Sequence, residues 1–431
     1  MTLIDLGELR DEPDRDLPPP RPPRAVGRPL RVALVLALLV ATVAGAAPTP
    51  ERISVVVPAG VRAEAFPDGD RLYVVGPAEG ETAGTAEVRA YAMPLRESAA
   101  GRSPVLSWRA VVPVGDRVWQ ARTWPGVVVF AVAGEQDLGQ TLALDAATGR
   151  ERWRQPGFPW WDRAGTLLVQ SGGEDGGTLR SVDPASGRTT WSVPTSREGA
   201  MYSVRDGLID RIVLAPARGR VEVRDVRSGE LVHAADLRLG ELPGYGHAMV
   251  ANGLLLVLRP AAGVLTAYGL DGLRQRWETS LPLMDHIEDC GEVLCANGRT
   301  GGFSAVDPAT GAIRWTGGRW AGGLHAQGDR LLALEPGPLG ERFSVLDATT
   351  GRAIADLGMW QLMPGHGDDR LLAVRPAATG GGLVVAELDL AAGRVRVLDV
   401  LRDASGDCRG SVDTVLCRLH SGGFGVWRFR G

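Results

Sequence analysis

A ten-residue pattern recurs along the chain and limits the folds open to it. Four copies read Leu144-Asp145-Ala-Ala-Thr-Gly149-Arg-Glu-Arg-Trp153, Val182-Asp183-Pro-Ala-Ser-Gly187-Arg-Thr-Thr-Trp191, Val306-Asp307-Pro-Ala-Thr-Gly311-Ala-Ile-Arg-Trp315 and Leu346-Asp347-Ala-Thr-Thr-Gly351-Arg-Ala-Ile-Ala355, and a fifth runs from Asp225 through Gly229 to His233. Each reads as strand, tight turn, strand. The Asp side chain satisfies the turn's own N–H groups, and the Gly accepts positive φ. The Trp that follows is placed to bury a large apolar area between neighbouring sheets.

Aligned on the Trp position, units fall at Trp108, Trp153, Trp191, His233, Trp277, Trp315, Ala355 and Val397, in steps of 38 to 45 residues. Each step has room for four short strands. In one unit these are expected at Leu324–Gly328, Arg330–Leu334, Arg342–Asp347 and Arg352–Leu357. Four-stranded antiparallel units repeated at this period predict an all-β chain, a β-propeller, with a linear solenoid as the rival architecture. Ile53–Val57 has no partner in its own unit, and Phe424–Arg430 ends the chain. Pairing these two strands in one sheet would lock the ring. Eight blades are expected, and nine are left open, because the split sheet adds to the eight aligned units.

Residues 1–31 begin acidic and turn Pro-rich and arginine-rich. They read as a disordered cytoplasmic tail, since so little apolar surface cannot support a core. Val32 to Ala47 is an uncharged apolar run, about 24 Å long as a helix. This is short for a bilayer core of about 30 Å. A cleaved secretory signal and an uncut transmembrane signal anchor are the two readings. The long charged region before the run favours the anchor, with the arginines cytoplasmic and the propeller, residues 52–431, outside the cell membrane.

Composition excludes several functions. The net charge of −4 gives no broad basic face, so nucleic acid is not an expected partner. Every one of the 47 basic residues is arginine, which rules out a Schiff-base lysine and a P-loop lysine. The chain also lacks a Gly-x-Ser-x-Gly elbow, a His-Glu-x-x-His pair and a Gly-rich nucleotide loop. Asp145, Asp183 and Asp307 are accounted for by their turns.

Four cysteines allow three connectivities. Cys290 and Cys295 flank one expected hairpin and Cys408 and Cys417 another, far apart in the repeat. The expected disulfides are therefore 290–295 and 408–417, which agrees with export.

The Leu-Asp-Ala-x-Thr-Gly-x-x-x-Trp hairpin resembles the repeat of pyrroloquinoline-quinone-like (PQQ-like) β-propellers, over roughly residues 52 to 431. The short tail, single anchor and exported propeller are similar to membrane-anchored actinobacterial members. The resemblance implies either a quinoprotein dehydrogenase or a non-enzymatic propeller that scaffolds envelope protein assembly. The dehydrogenases would imply adjacent cysteines, calcium ligands that include Asn, and a catalytic Asp. No two cysteines are adjacent here. Both asparagines, Asn252 and Asn297, precede Gly and read as hairpin turns. No cofactor is expected, PQQ included.

Four of the six histidines, His247, His286, His325 and His366, fall at the blade period, at or just before the first strand of consecutive units. Tyr202, Trp160 or Trp161, and Arg122 hold the equivalent positions upstream. These residues are expected to form an arc at one channel mouth. The arc is either structural or a ligand-, metal- or pH-sensitive site. The expected function is a non-catalytic binding or scaffolding module at the cell envelope, with a protein partner on a propeller face. A channel-mouth ligand or metal sensor and a quinoprotein-type dehydrogenase are the alternatives.

Overall fold

The computed structural model describes residues 52–429 except 79–83, 94–103, 114–116, 134–138, 174–175, 218, 238, 240–247, 260, 338–339, 365–369, 379–380 and 411–412. The tail and the apolar run at 32–47 lie outside the described residues. Among those described, no helix is long and apolar enough to cross a membrane.

The described chain forms nine four-stranded antiparallel sheets. Blade 1 contains β2 (Glu64–Asp68), β3 (Arg71–Pro77), β4 (Ala86–Ala92) and β5 (Val105–Val112). The first strands of blades 2 to 5 are β6 (Val118–Trp124), β10 (Phe158–Trp161), β14 (Met201–Arg205) and β18 (Ala248–Ala251). Those of blades 6 to 9 are β22 (Met284–Cys290), β26 (Gly322–Gln327), β30 (Gln361–Leu362) and β34 (Ala404–Gly410). First strands of successive blades touch, as β2 with β6, β14 with β18 and β22 with β26, so they form the innermost ring.

The first and last described strands meet as expected. In blade 9, β1 (Arg52–Val57) pairs with β36 (Phe424–Phe429), in register from Arg52 opposite Phe429 to Val57 opposite Phe424. The seam into blade 1 is tied by Arg409 on Glu64 at 3.2 Å and by Arg418, which donates to the Gly60 and Ala63 carbonyls. The unit predicted from Leu324 onward is β26, β27 (Arg330–Gly337), β28 (Gly340–Asp347) and β29 (Ala353–Met359).

The count is nine among the described residues, the alternative to the expected eight. Blade 1, with Trp108, and blade 8, with Val397, are complete sheets, and the closing sheet is a ninth. Blade 8 reads weakly because its first strand is only two residues long. Second strands are apolar without alternation, as in β7 (Val127–Ala133), where six consecutive residues are buried. Each such strand is covered on both faces by neighbouring blades, so the period-2 signal disappears.

Successive blades are joined at the turn between third and fourth strands. Asp145 Oδ1 accepts from Ala147 N, Thr148 N and Thr148 Oγ1 at 2.9–3.0 Å, and Oδ2 accepts from Arg152 at 2.6 Å. The indole of the preceding blade then donates to the carbonyl of the residue after Asp. Trp108 reaches Ala146, Trp153 reaches Pro184, Trp191 reaches Val226, Trp277 reaches Pro308 and Trp315 reaches Ala348, all at 2.8–3.1 Å. The turn glycine lies under the indole. At Gly311, where φ is +75°, a Cβ would come within 2.5 Å of the Trp277 ring. The residue is therefore Gly for two reasons, backbone conformation and ring packing.

Candidate binding face at the channel mouth

In an antiparallel meander, the starts of first and third strands share one face with the ends of second and fourth strands. The Asp turns lie on the opposite face. The described members of the expected arc lie on first strands, and among them the structure brings Trp160 against Tyr202.

His286 lies in β22, immediately after a register shift between Met284 and His286. His325 occupies the matching place in β26, after a shift between Gly323 and His325. His286 is half-exposed. Its Nε2 lies 3.2 Å from Asn297 Nδ2 and 3.5 Å from Glu288, and its Nδ1 lies 3.6 Å from Asp285. His325 is partly buried. His247 and His366 lie outside the described residues. Among the described residues, no group of three or more His, Cys, Asp or Glu is arranged to hold a metal ion.

Asn252 is a turn residue, as expected, at φ +51°. Asn297 is not. It lies within β23 (Val293–Gly298), 2% exposed, paired to His286 on one side and to Phe303 of β24 (Phe303–Val306) on the other. The strand runs through the Asn-Gly pair because Val293–Ala296 is a buried second strand, and tertiary burial overrides the local turn preference.

On blades 2 to 4 the mouth is aromatic. Trp119 meets Phe158 edge-on at 5.7 Å, and Trp160 meets Tyr202 at 5.4 Å. At the other end of these strands, Trp124 packs on Trp161 at 5.7 Å and donates to the carbonyl of Gly165 in the turn that follows β10. Arg122 stacks over Trp124, and Arg117 over Trp119, both at 5.2 Å. Tyr202 OH donates to Gln170 Oε1 at 3.3 Å. Tyr202 and one of Trp160 and Trp161 are among the arc's positions, and the structure pairs Trp160 with Tyr202; Trp119 and Phe158 were missed although they too are spaced by the blade period, because the arc follows only the histidine positions upstream.

Trp119 and Trp160 remain 46% and 50% exposed, and Leu283, just before β22, and Leu324, in β26, are 66% and 45% exposed. Leu283 also has φ +64°, a conformation that is strained for a branched side chain. The two half-exposed indoles on the neighbouring first strands β6 and β10, each packed on another ring, suit a contact site.

Both disulfides are present, each joining the first two strands of a blade. Cys290–Cys295 stitches β22 to β23, and Cys408–Cys417 stitches β34 to β35 (Thr414–Leu419). Gly323 of the next blade covers the first bridge, and a Cβ there would lie 2.8 Å from both sulfurs. These bridges are not vicinal. Asn252 belongs to the turn face, and Asn297 is buried between strands. The residues therefore do not fit the donor set that PQQ and calcium would require.

Residues 68–242 match the sequence family described as outer membrane protein assembly factor BamB. No curated protein matches the chain. Among solved structures, BamB from Moraxella catarrhalis is 15% identical with a TM-score of 0.42, covering 88% of this chain and 96% of that one. The computationally designed Ika8 protein is 14% identical, TM-score 0.46, covering 72% and 96%. Sqt1 of Saccharomyces cerevisiae is 10% identical, TM-score 0.45, covering 81% and 98%.

Proposed function

We propose that this chain is a non-catalytic binding module, a membrane-tethered propeller outside the cell membrane that engages a protein partner through its aromatic mouth. The observation that carries the reading is the pair of half-exposed tryptophans on adjacent inner strands, Trp119 beside Phe158 and Trp160 beside Tyr202. Trp and Tyr dominate the energetics of protein contacts because they bring large rigid area and a polar tip. The match of residues 68–242 to a family described as an assembly factor supports the same class of activity. Export is supported by the apolar run Val32 to Ala47 and by the disulfides, which persist outside the cytosol. The chain would act without PQQ.

Site-specific photo-crosslinking in cells tests this. A photoreactive residue at Trp160 is expected to trap one defined protein, and the adduct should be lost when Trp119→Ala is added. The same probe at Arg188, on the turn face, should trap nothing. Equal labelling at both positions would overturn the mouth as the contact. A raised unfolding temperature with PQQ plus calcium would overturn the non-catalytic reading, since a ligand at 100 times its Kd adds about 2.7 kcal/mol.

A further inference from the structure

The chain's two asparagines are each followed by glycine, the dipeptide in which an unhindered backbone nitrogen can attack the side-chain amide. The structure places them in opposite circumstances. We infer that Asn252 is a site of spontaneous deamidation in the folded protein and that Asn297 is protected.

Asn252 is exposed, in the two-residue turn between β18 and β19 (Leu254–Arg259). Space around Gly253 is open: a Cβ there would meet no atom within 4 Å. The Gly253 N–H, the nucleophile, has no acceptor among the described residues, although its carbonyl accepts from Leu270 N at 2.9 Å. Among the described residues, the Asn252 amide is held by one long contact, Nδ2 to the Gly291 carbonyl at 3.4 Å. At Asn297 every one of these conditions is reversed. The side chain is buried and bonded to His286, and the Gly298 N–H is committed to the Gly302 carbonyl at 2.9 Å.

In the reaction, Gly253 N bonds to Asn252 Cγ and the Cγ–Nδ2 bond breaks. Ammonia leaves with the proton from Gly253, and a succinimide remains. Water then opens either carbonyl, giving Asp or isoaspartate. The turn must leave its left-handed conformation to reach the attack geometry, and a hairpin end is where local opening is cheapest. The product adds a negative charge and removes the donor to Gly291, which belongs to the next blade. An isoaspartate would also lengthen a turn whose register is fixed by only two residues.

The experiment is incubation of the full chain in warm, mildly alkaline heavy-oxygen water, followed by peptide mapping and an isoaspartyl methyltransferase assay. In the folded protein, label should enter at Asn252 at least about tenfold faster than at Asn297. In denaturant the two rates should converge. Equal rates in the folded state would overturn the proposal, as would an unlabelled Asn252 in folded protein when both sites convert in denaturant. Gly253→Ala keeps the asparagine and hinders the nucleophile, so it should slow labelling at 252 alone; an unchanged rate there would also overturn it.

Discussion

Two seams between blades close the same kind of gap with different residues. From blade 5 to blade 6, Trp277 donates to Pro308 O at 2.8 Å and its ring lies over Gly311. From blade 4 to blade 5, the Trp position is His233, and the facing turn runs from Gly269 to Arg274 with neither the Asp nor the Gly of the repeat. The hairpin is nevertheless the same. Gly269 N donates to Arg274 O at 2.9 Å and Leu273 N to Gly269 O at 2.8 Å, the pattern made elsewhere by Asp and Gly. Leu273 stands at the glycine position with φ +55° and is 3% exposed, packed in one apolar cluster with Val223, Leu270 and, at its edge, Ala235. Trp with Gly has been exchanged for His with Leu, on two different blades. The left-handed conformation costs Leu about 1–2 kcal/mol. Burying its side chain returns about 1.5–3 kcal/mol, which it could not do under an indole.

The comparison predicts unequal costs at equivalent positions. Trp277→Ala removes a buried ring and orphans the Pro308 carbonyl, and should lower unfolding free energy by about 3–5 kcal/mol. His233→Ala removes a partly exposed ring at a seam already filled by Leu273, and should cost less than about 1 kcal/mol. Urea unfolding of the two variants measures both. Similar losses would show that the indole is not what holds the seam.

A sharper version converts one seam into the other. His233→Trp alone overfills the space that Leu273 occupies and should destabilise by about 1–3 kcal/mol. Leu273→Gly alone relieves the backbone but empties the site. Together they recreate the Trp–Gly pair, with the Leu270 carbonyl where Pro308 offers its own. The double variant should be more stable than the sum of the singles by about 0.5–3 kcal/mol. Strict additivity would sink the idea that the two positions form one unit.

These seams also show why parts of the molecule were readable in advance. The Asp-x-x-Thr/Ser-Gly turn has a local cause, so Asp145, Asp183, Asp307 and the four-strand unit following them could be placed from the sequence. The closing pair Ile53–Val57 and Phe424–Arg430 was legible because neither end had another partner. Leu273 was not legible as a turn residue, since its left-handed backbone is tolerated only by virtue of what His233, forty residues upstream, fails to fill. Asn297 misled for the same reason: burial between blades outweighed its turn chemistry. Periodicity picked out His286, His325 and Tyr202, which lie on first strands, whereas Trp119 is marked only by its tertiary contact with Phe158.

The weakest expected effect separates the same two kinds of turn by their carboxylates. Asp145 is held down to about 2, first by the hydrogen bond from Arg152 and then by Thr148. Asp183, Asp307 and Asp347 are also lowered, chiefly by Ser186, Arg314 and Thr350 respectively, and Asp225 by the Ser228 backbone N–H. A depressed carboxylate contributes stability above its unfolded value of about 3.9, and that contribution is lost as pH falls through the folded value. Acid should therefore weaken these five turns progressively, between about pH 4 and, for Asp145, about pH 2. The blade 5 turn has Gly269 in place of the capping Asp, and its Asp271 is lowered mainly by Arg276 instead. Asp145→Asn keeps an acceptor for the turn but removes the titrating charge, so it should flatten the fall of the urea midpoint across this window. The groups are exposed, and solvent screening keeps the change small beside the loss of a Trp. An unaltered pH slope in Asp145→Asn would mean that acid acts elsewhere than at the turns that receive the tryptophans.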